Sequence, residues 1–360
     1  MKTLYIIFSL FILLIIIVLA TRSLPSDLND SKNINLKSIK QTTMENKNLF
    51  LKEHAEILNV QNHRDITVAQ IKYNTSSLDS IISLHEAFKK KLIVVKELEG
   101  TEQVNTIFLE NLSDSYIFIL DGDILKGAKQ NRVVNTSVLV APKAKILLPV
   151  SCVEEGRWDS RSSRFRPSDE VAHRSIRYEK ANFISESKKM NRADFAADQS
   201  SVWNEVENVS CSIEYFSPTK SHSDLFENFT NEFEDIIKSF ILNPQANGLV
   251  IFVGDQMVAC DIFNNNKLYS DYFKKIIKTS AIDSKIKKED NQCKSIDKSQ
   301  VIKLINTVFD QFEISKEDAS LTPGVSEGVE TRLNLENNTF YGLSHKGRSV
   351  HQSILSSYSK

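Results

Sequence analysis

The chain is poor in glycine, with ten in 360 residues, and none of them stands in a GxGxxG or GxxxxGKS/T arrangement. The phosphate-cradling turns of dinucleotide-binding and P-loop folds are therefore excluded. HExxH is missing too, which removes the zincin metalloproteases. The four cysteines, Cys152, Cys211, Cys260 and Cys293, lie far apart with no CxxC pair. That spacing excludes a zinc knuckle and argues against a disulfide framework in a chain of this size. No excess of either charge exists: the formal net charge is -1, so nothing draws the whole molecule to nucleic acid, and no nucleic-acid partner is expected. No cofactor signature is present, and no cofactor is assigned.

Charge is unevenly placed nonetheless. Lys126 to Lys180 holds twelve Lys or Arg against six Asp or Glu, which predicts one electropositive face or, more simply, a solvated charge run. Lys2 precedes an apolar run from Leu4 to Ala20. Residues 1–22 thus read as a signal peptide or a membrane anchor, exported or anchored, with a cytoplasmic-facing anchor also open. If uncleaved, this segment makes the membrane a partner. Residues 23–48 are polar and poor in aromatics and read as a disordered tether, leaving residues 49–355 as a single folded domain.

Within that domain the periodicities predict an α+β fold, with an antiparallel, β-rich first half packed against a mixed helical and hairpin second half. Leu78, Ile81, Ile82, His85 and Phe88 fall at helical spacing, and Leu92–Val95 is a β-type run. Four further strands are expected between Val104 and Val153, with short connections that favour a meander. Ser-rich sequence carrying Arg161, Arg164, Arg166, Arg174 and Arg177 reads as a mobile loop. Helices are expected over Phe195–Val206, after Ser223, over Leu268–Ile282 and near Gln300–Phe312. A hairpin is expected about Gly254 and Asp255, a charged loop from Ser280 to Lys298, and two strands near the end.

The candidate chemistry clusters between Gly127 and Trp158. In "KQNR", Lys129 and Arg132 can neutralise phosphate or carboxylate, and the amides of Gln130 and Asn131 can hydrogen-bond hydroxyls or ring edges. Neighbours on an extended chain alternate faces, so Lys129 with Asn131, or Gln130 with Arg132, should face a ligand while the other pair braces it. A polar turn whose amides cap the backbone is the plainer reading. In "EEGRW", Glu154 is the best general acid or base, although it can also clamp Arg157, and Trp158 can stack on a planar group. Cys152 beside Arg157 has the setting of a nucleophile, but it shares strand parity with Val150, which favours a buried thiol. The pair Asp121 and Asp123 in "DGD" reads as a turn rather than a carboxylate metal site, and no metal is assigned.

The blocks "GAKQNRVVNTSVLV", "LPVSCVEEGRW", "DQSSVWNEV" and "SPTKS", followed by "GLVIFVGDQMVACDIF", resemble the ARG-and-Rhodanese-Phosphatase-superfamily-associated protein family over roughly residues 70–350. The family's name implies proximity to ADP-ribose or phosphoester chemistry, without a defined reaction. The apolar leader departs from its usual cytoplasmic setting. Carried over residue by residue, the resemblance adds Asp198 and Gln199 as ligand-binding candidates, and Gly156, Trp203, Ser217 and Thr219 as motif positions.

Three readings follow. The first is a domain that binds a nucleotide, an ADP-ribose-like compound or another small phosphorylated ligand, and hydrolyses it or transfers from it. The second is a non-catalytic scaffold whose motif residues form a hydrogen-bonded network. The third is a cysteine-dependent enzyme. A packed and paired Glu154 and Cys152 would favour the scaffold, and an open cleft would favour the ligand site.

Overall fold

The computed structural model describes residues 55–78, 80–98, 104–156, 162, 164–192, 194–287 and 296–357. The expected leader and tether, Cys293, Arg157, Trp158 and Arg161 lie outside the described residues. Among those described, no helix is long and apolar enough to cross a membrane.

The fold is α+β, with mostly antiparallel sheets. In chain order its elements are β1 (Ala55–His63), β2 (Ile66–Tyr73), β3 (Ile81–Ser83), α1 (Leu84–Lys89), β4 (Ile93–Lys96), β5 (Thr106–Asn111), β6 (Tyr116–Ile119), β7 (Asp123–Gly127), β8 (Arg132–Val134), β9 (Val138–Val140), β10 (Lys145–Cys152) and β11 (Phe165–Val171). Then follow α2 (Arg174–Lys189), α3 (Gln199–Ser212), α4 (His222–Asn228), α5 (Thr230–Lys238), β12 (Gly248–Val253), β13 (Gln256–Phe263), α6 (Asn266–Lys287), α7 (Lys298–Ile314), β14 (Ser320–Pro323), β15 (Val329–Asn334), β16 (Asn338–His345) and β17 (Arg348–Ser356).

An eight-stranded sheet runs β1-β2-β12-β13-β17-β16-β15-β14. Both of its faces are covered, which is why β12 reads as the continuous apolar run "GLVIFV". Val250 and Phe252 face a core with Val301, Ile305 and Phe309 of α7. Leu249, Ile251 and Val253 face the opposite core, with Phe233 of α5 and Phe273, Ile276 and Ile277 of α6. A three-stranded sheet, β3-β6-β9, lies next. Phe118 of β6 points into the core shared with the large sheet, and Ile117 and Ile119 point into a core shared with Leu109, Val134 and Leu148 of the six-stranded sheet β11-β7-β8-β10-β5-β4. Alternation along one short strand thus joins two cores.

Several expectations are corrected. Ile81 and Ile82 lie in β3, not in a helix, because β-branched residues pair with β6 and Ser83 caps the short α1 that follows. The strands after Val104 are not a meander. β5 and β6 go to different sheets, "RVVNTSVLV" breaks at Asn135–Ser137 into β8 and β9, and β3 pairs with β6 in parallel. The helix expected after Ser223 starts one residue after its cap, Ser221, and breaks at Phe229, where the Thr230 hydroxyl bonds back to the Phe226 carbonyl. Helix α6 continues to Lys287 through the first part of the expected charged loop. The segment read as a mobile loop is β11 followed by α2, whose Arg174, Arg177, Lys180 and Lys188 are buried. Charged side chains enter the interior only when paired, and here the partners come from distant strands and from α6.

The candidate polar cleft

The motif residues meet where β7, β8 and β10 approach α3 and α4. Antiparallel pairing sets Arg132 opposite Cys152. The Arg132 guanidinium contacts the Cys152 sulfur, donates to Gln130 Oε1 at 3.4 Å and pairs with Glu97 at 3.2 Å. Gln199, at the start of α3, clasps the main chain of Cys152: its Oε1 accepts the Cys152 N–H at 2.7 Å and its Nε2 donates to the Cys152 carbonyl at 2.9 Å. Gln130 Nε2 donates to the Glu154 carbonyl at 2.9 Å, and the Asn131 N–H donates to Glu154 Oε2 at 3.1 Å. Burial pushes the Cys152 thiol pKa up, against the pull of Arg132. Cys152, Cys211 and Cys260 are free thiols.

Beyond Cys152 the chain zips onto the segment leading into α4. His222 N–H reaches the Val153 carbonyl at 3.0 Å, Glu154 bridges Ser221, and Gly156 N–H reaches the Thr219 carbonyl at 2.9 Å. A β-carbon on Gly156 would sit 2.8 Å from that same Thr219 oxygen, so only glycine allows the approach. Ser217 and Thr219 hydroxyls both donate to Asp224, at 2.6 and 2.9 Å, and hold this segment in shape.

The result is a polar cleft of about 510 Å3. Its wall on the sheet side carries Lys126, Asn131 and Glu154, its wall on the helix side Thr219, Ser221, Ser223, Asp224 and Glu227, and its rim Ser162, Arg164 and Arg166. Lys126 pairs with Glu170 at 3.1 Å and Glu227 at 3.5 Å. Burial opposes ionisation of Glu170, but Ser168, Lys126 and Lys278 outweigh it and lower its pKa. No carboxylate among the described residues pairs with Arg164 or Arg166.

Of the residues anticipated from sequence, Asn131 and Glu154 line the cleft, and Thr219 faces them. Gln130, Arg132, Cys152 and Gln199 lie behind it in the hydrogen-bonded network. Lys129 is exposed, and Asp198 caps α3, accepting from Ser200 and Ser201, beside a separate groove that contains Lys180. Lys126, Ser221, Ser223, Asp224 and Glu227 were not among the site residues expected from sequence. The motif positions Ser217 and Thr219 were the signal that this segment belongs to the site.

Behind the cleft a chain of buried charges crosses the molecule. Arg177 forms a two-pronged pair with Asp261 at 2.7 and 3.0 Å and lies 3.5 Å from Asp121, which also binds Lys180 at 2.7 Å. Burial opposes ionisation of Asp261, yet Arg177 and His351 hold its carboxyl well below the usual range. His173 and Arg174 both bind Asp283, at 3.0 and 2.8 Å. The His173 N–H donates to His222 Nε2 at 3.1 Å, and burial, reinforced by His173, pushes the His222 pKa down to about 3. No group of three or more metal-ligating side chains occurs among the described residues.

No curated protein and no solved structure matches this chain. One family's sequence model does match it, from residue 54 to residue 355, which is nearly all of the described structure and contains every residue of the cleft. The chain belongs to that family, the one defined by the ARG and Rhodanese-Phosphatase-superfamily-associated Protein domain.

Proposed function

We propose that the cleft binds a small phosphorylated ligand, of nucleotide, ADP-ribose-like or related type, through Arg166, Arg164 and Lys126. The observation that carries this reading is a register. In the antiparallel pair β7–β11, Arg166 stands directly opposite Lys126, and Arg164 lies two residues before Arg166 on the same cleft. Like charges opposite one another in a ladder destabilise the pair, and here Glu170 and Glu227 relieve Lys126 while no carboxylate among the described residues pairs with Arg166. An anion between them reverses the sign and adds charge-assisted hydrogen bonds. Hydrolysis of such a ligand would fall to Glu154, a cleft carboxylate that accepts the Asn131 N–H.

A scaffold reading is favoured by a different observation. Gln130, Arg132, Cys152 and Gln199 are interlocked behind the cleft, and Glu154 and Cys152 are both buried. The two readings divide the motif between them, with an inner part that braces and an outer part that faces solvent.

The test is thermal unfolding of the full-length protein with inorganic phosphate, nucleoside diphosphates and ADP-ribose. A compound at a hundred times its Kd should stabilise the fold by about 2.7 kcal/mol, less at high salt. Arg166→Ala should abolish that shift with little change in the stability of the ligand-free protein. If no phosphate compound shifts the wild type, or the variant keeps the shift, the anion site is refuted and the scaffold reading stands.

A further inference from the structure

The charges lining the cleft are sorted by wall. Arg164, just before β11, and Arg166 within it bring only cations, and α4 brings only carboxylates, Asp224 and Glu227. Lys126 lies between the two groups and is already matched, by Glu170 at 3.1 Å and Glu227 at 3.5 Å. Glu154, the remaining charged residue of the lining, is buried and bonded on the sheet side.

Asp224 is the counterpart of the unpaired arginines. It accepts the Ser217 and Thr219 hydroxyls, both at Oδ2, and no cation among the described residues pairs with it. Its charge is therefore held in place by neutral donors and left uncancelled. On the other wall Ser162 Oγ accepts the Ala128 N–H at 3.1 Å and donates to the Arg164 carbonyl at 2.7 Å, which fixes the rim against β7. Charges of opposite sign are thus set on two braced walls of one cleft and form no ion pair with each other. At about 510 Å3 the space they share exceeds the needs of orthophosphate and falls within the range of small-molecule sites.

A purely anionic ligand satisfies the arginines but adds negative charge to a cleft that already holds Asp224 and Glu227. A ligand with an ammonium at its other end satisfies both walls by charge-assisted hydrogen bonds. If its phosphate takes Lys126, the ammonium also replaces that lysine beside Glu227. We propose that the ligand is a zwitterion, a phosphomonoester that carries a primary amine, with its phosphate on Arg166 and Arg164 and its ammonium on Asp224 and Glu227. Asp224 is the specificity-determining residue for the amine. This inference rests on the anion reading given above and deepens it.

The experiment is calorimetric titration of the full-length protein at neutral pH with two pairs of compounds, 2-aminoethyl against 2-hydroxyethyl phosphate and 4-aminobutyl against 4-hydroxybutyl phosphate. Within a pair only the ammonium and the hydroxyl differ. In at least one pair wild type should bind the amine about tenfold more tightly or better. Asp224→Asn, which keeps an acceptor for Ser217 and Thr219, should bring that pair close to parity while the affinity for the hydroxyl compound holds or rises. Glu227→Gln should lower the same ratio, and Arg166→Ala should weaken both compounds. Equal affinities within both pairs, or tighter binding of the hydroxyl compounds, would overturn the zwitterion and leave the anion site standing, whatever the variants do. An Asp224→Asn protein that loses amine and hydroxyl compounds alike would also overturn it, by making Asp224 a brace of the wall. Should Asp224→Asn fail to fold, the exposed Glu227 decides in its place, and an unchanged ratio in Glu227→Gln overturns the ammonium seat. If no compound binds wild type, the anion site fails and this inference fails with it.

Discussion

His222 carries the clearest pH consequence of any single residue. It is buried, accepts the His173 N–H, and lies close enough to His173, Glu170 and Lys126 for their charges to act on it, with a pKa of about 3. An unfolded histidine titrates near 6.5. Between those values the unfolded chain binds a proton that the folded protein refuses, so stability rises with pH there. The contribution is complete above about pH 6.5 and disappears as pH falls toward 3, at about 1.4 kcal/mol per pH unit from this group. Glu170 and Asp261, whose carboxyls are held low, lose stability in the same direction at lower pH. Urea unfolding between pH 7 and 4.5 should show the slope, and His222→Gln, which keeps an acceptor for His173, should flatten it by about one proton. An unchanged slope would mean that His222 is not held neutral in the folded protein.

At the scale of elements, Gln199 couples a helix to a strand. Its two hydrogen bonds to the Cys152 main chain fix the start of α3 against the end of β10, while Val202 and Val206 pack beside Val133, Val153 and Ile176. Gln199→Ala leaves a buried N–H and carbonyl short of partners, which costs about 1–3 kcal/mol. Because Gln199 does not line the cleft, phosphate affinity should stay within about twofold of wild type. Chemical denaturation and calorimetry on one preparation check both halves. A large loss of affinity with little loss of stability would move Gln199 into the binding machinery.

At the scale of the whole molecule, α2 is the strut. Through Arg177 and Lys180 it ties Asp121, just before β7 of the six-stranded sheet, to Asp261 in β13 of the eight-stranded sheet. Gly122, at φ +92, lets Arg177 lie against the backbone, since an added β-carbon would come within 2.9 Å of its side chain. Arg177→Met keeps much of the volume but takes one partner from each of two buried carboxylates, which keep Lys180 and His351, and breaking such a network costs up to about 3–5 kcal/mol. The expected result is a lower denaturation midpoint with one cooperative transition, because both sheets lean on the same helix. Two separated transitions would show that the layers stand independently.

The sequence by itself determined most elements with a strong local period. The hairpin at Gly254, the helices α3, α6 and α7 and the run β10 follow from side-chain spacing and turn chemistry, which act within a few residues. The alternation argument for "KQNR" left open whether Lys129 with Asn131 or Gln130 with Arg132 would face a ligand; in the structure Asn131 lines the cleft and Lys129 does not. Tertiary structure alone decided the rest. Whether Arg174, Arg177 and Lys180 were solvated or buried depended on carboxylates 59 to 109 residues away. The meander expectation failed for the same reason, since which sheet a short strand joins is settled by long-range pairing. The cleft needs Arg166 opposite Lys126 and Ser221 opposite Glu154, and a register between distant strands leaves no mark in the local spacing of either one.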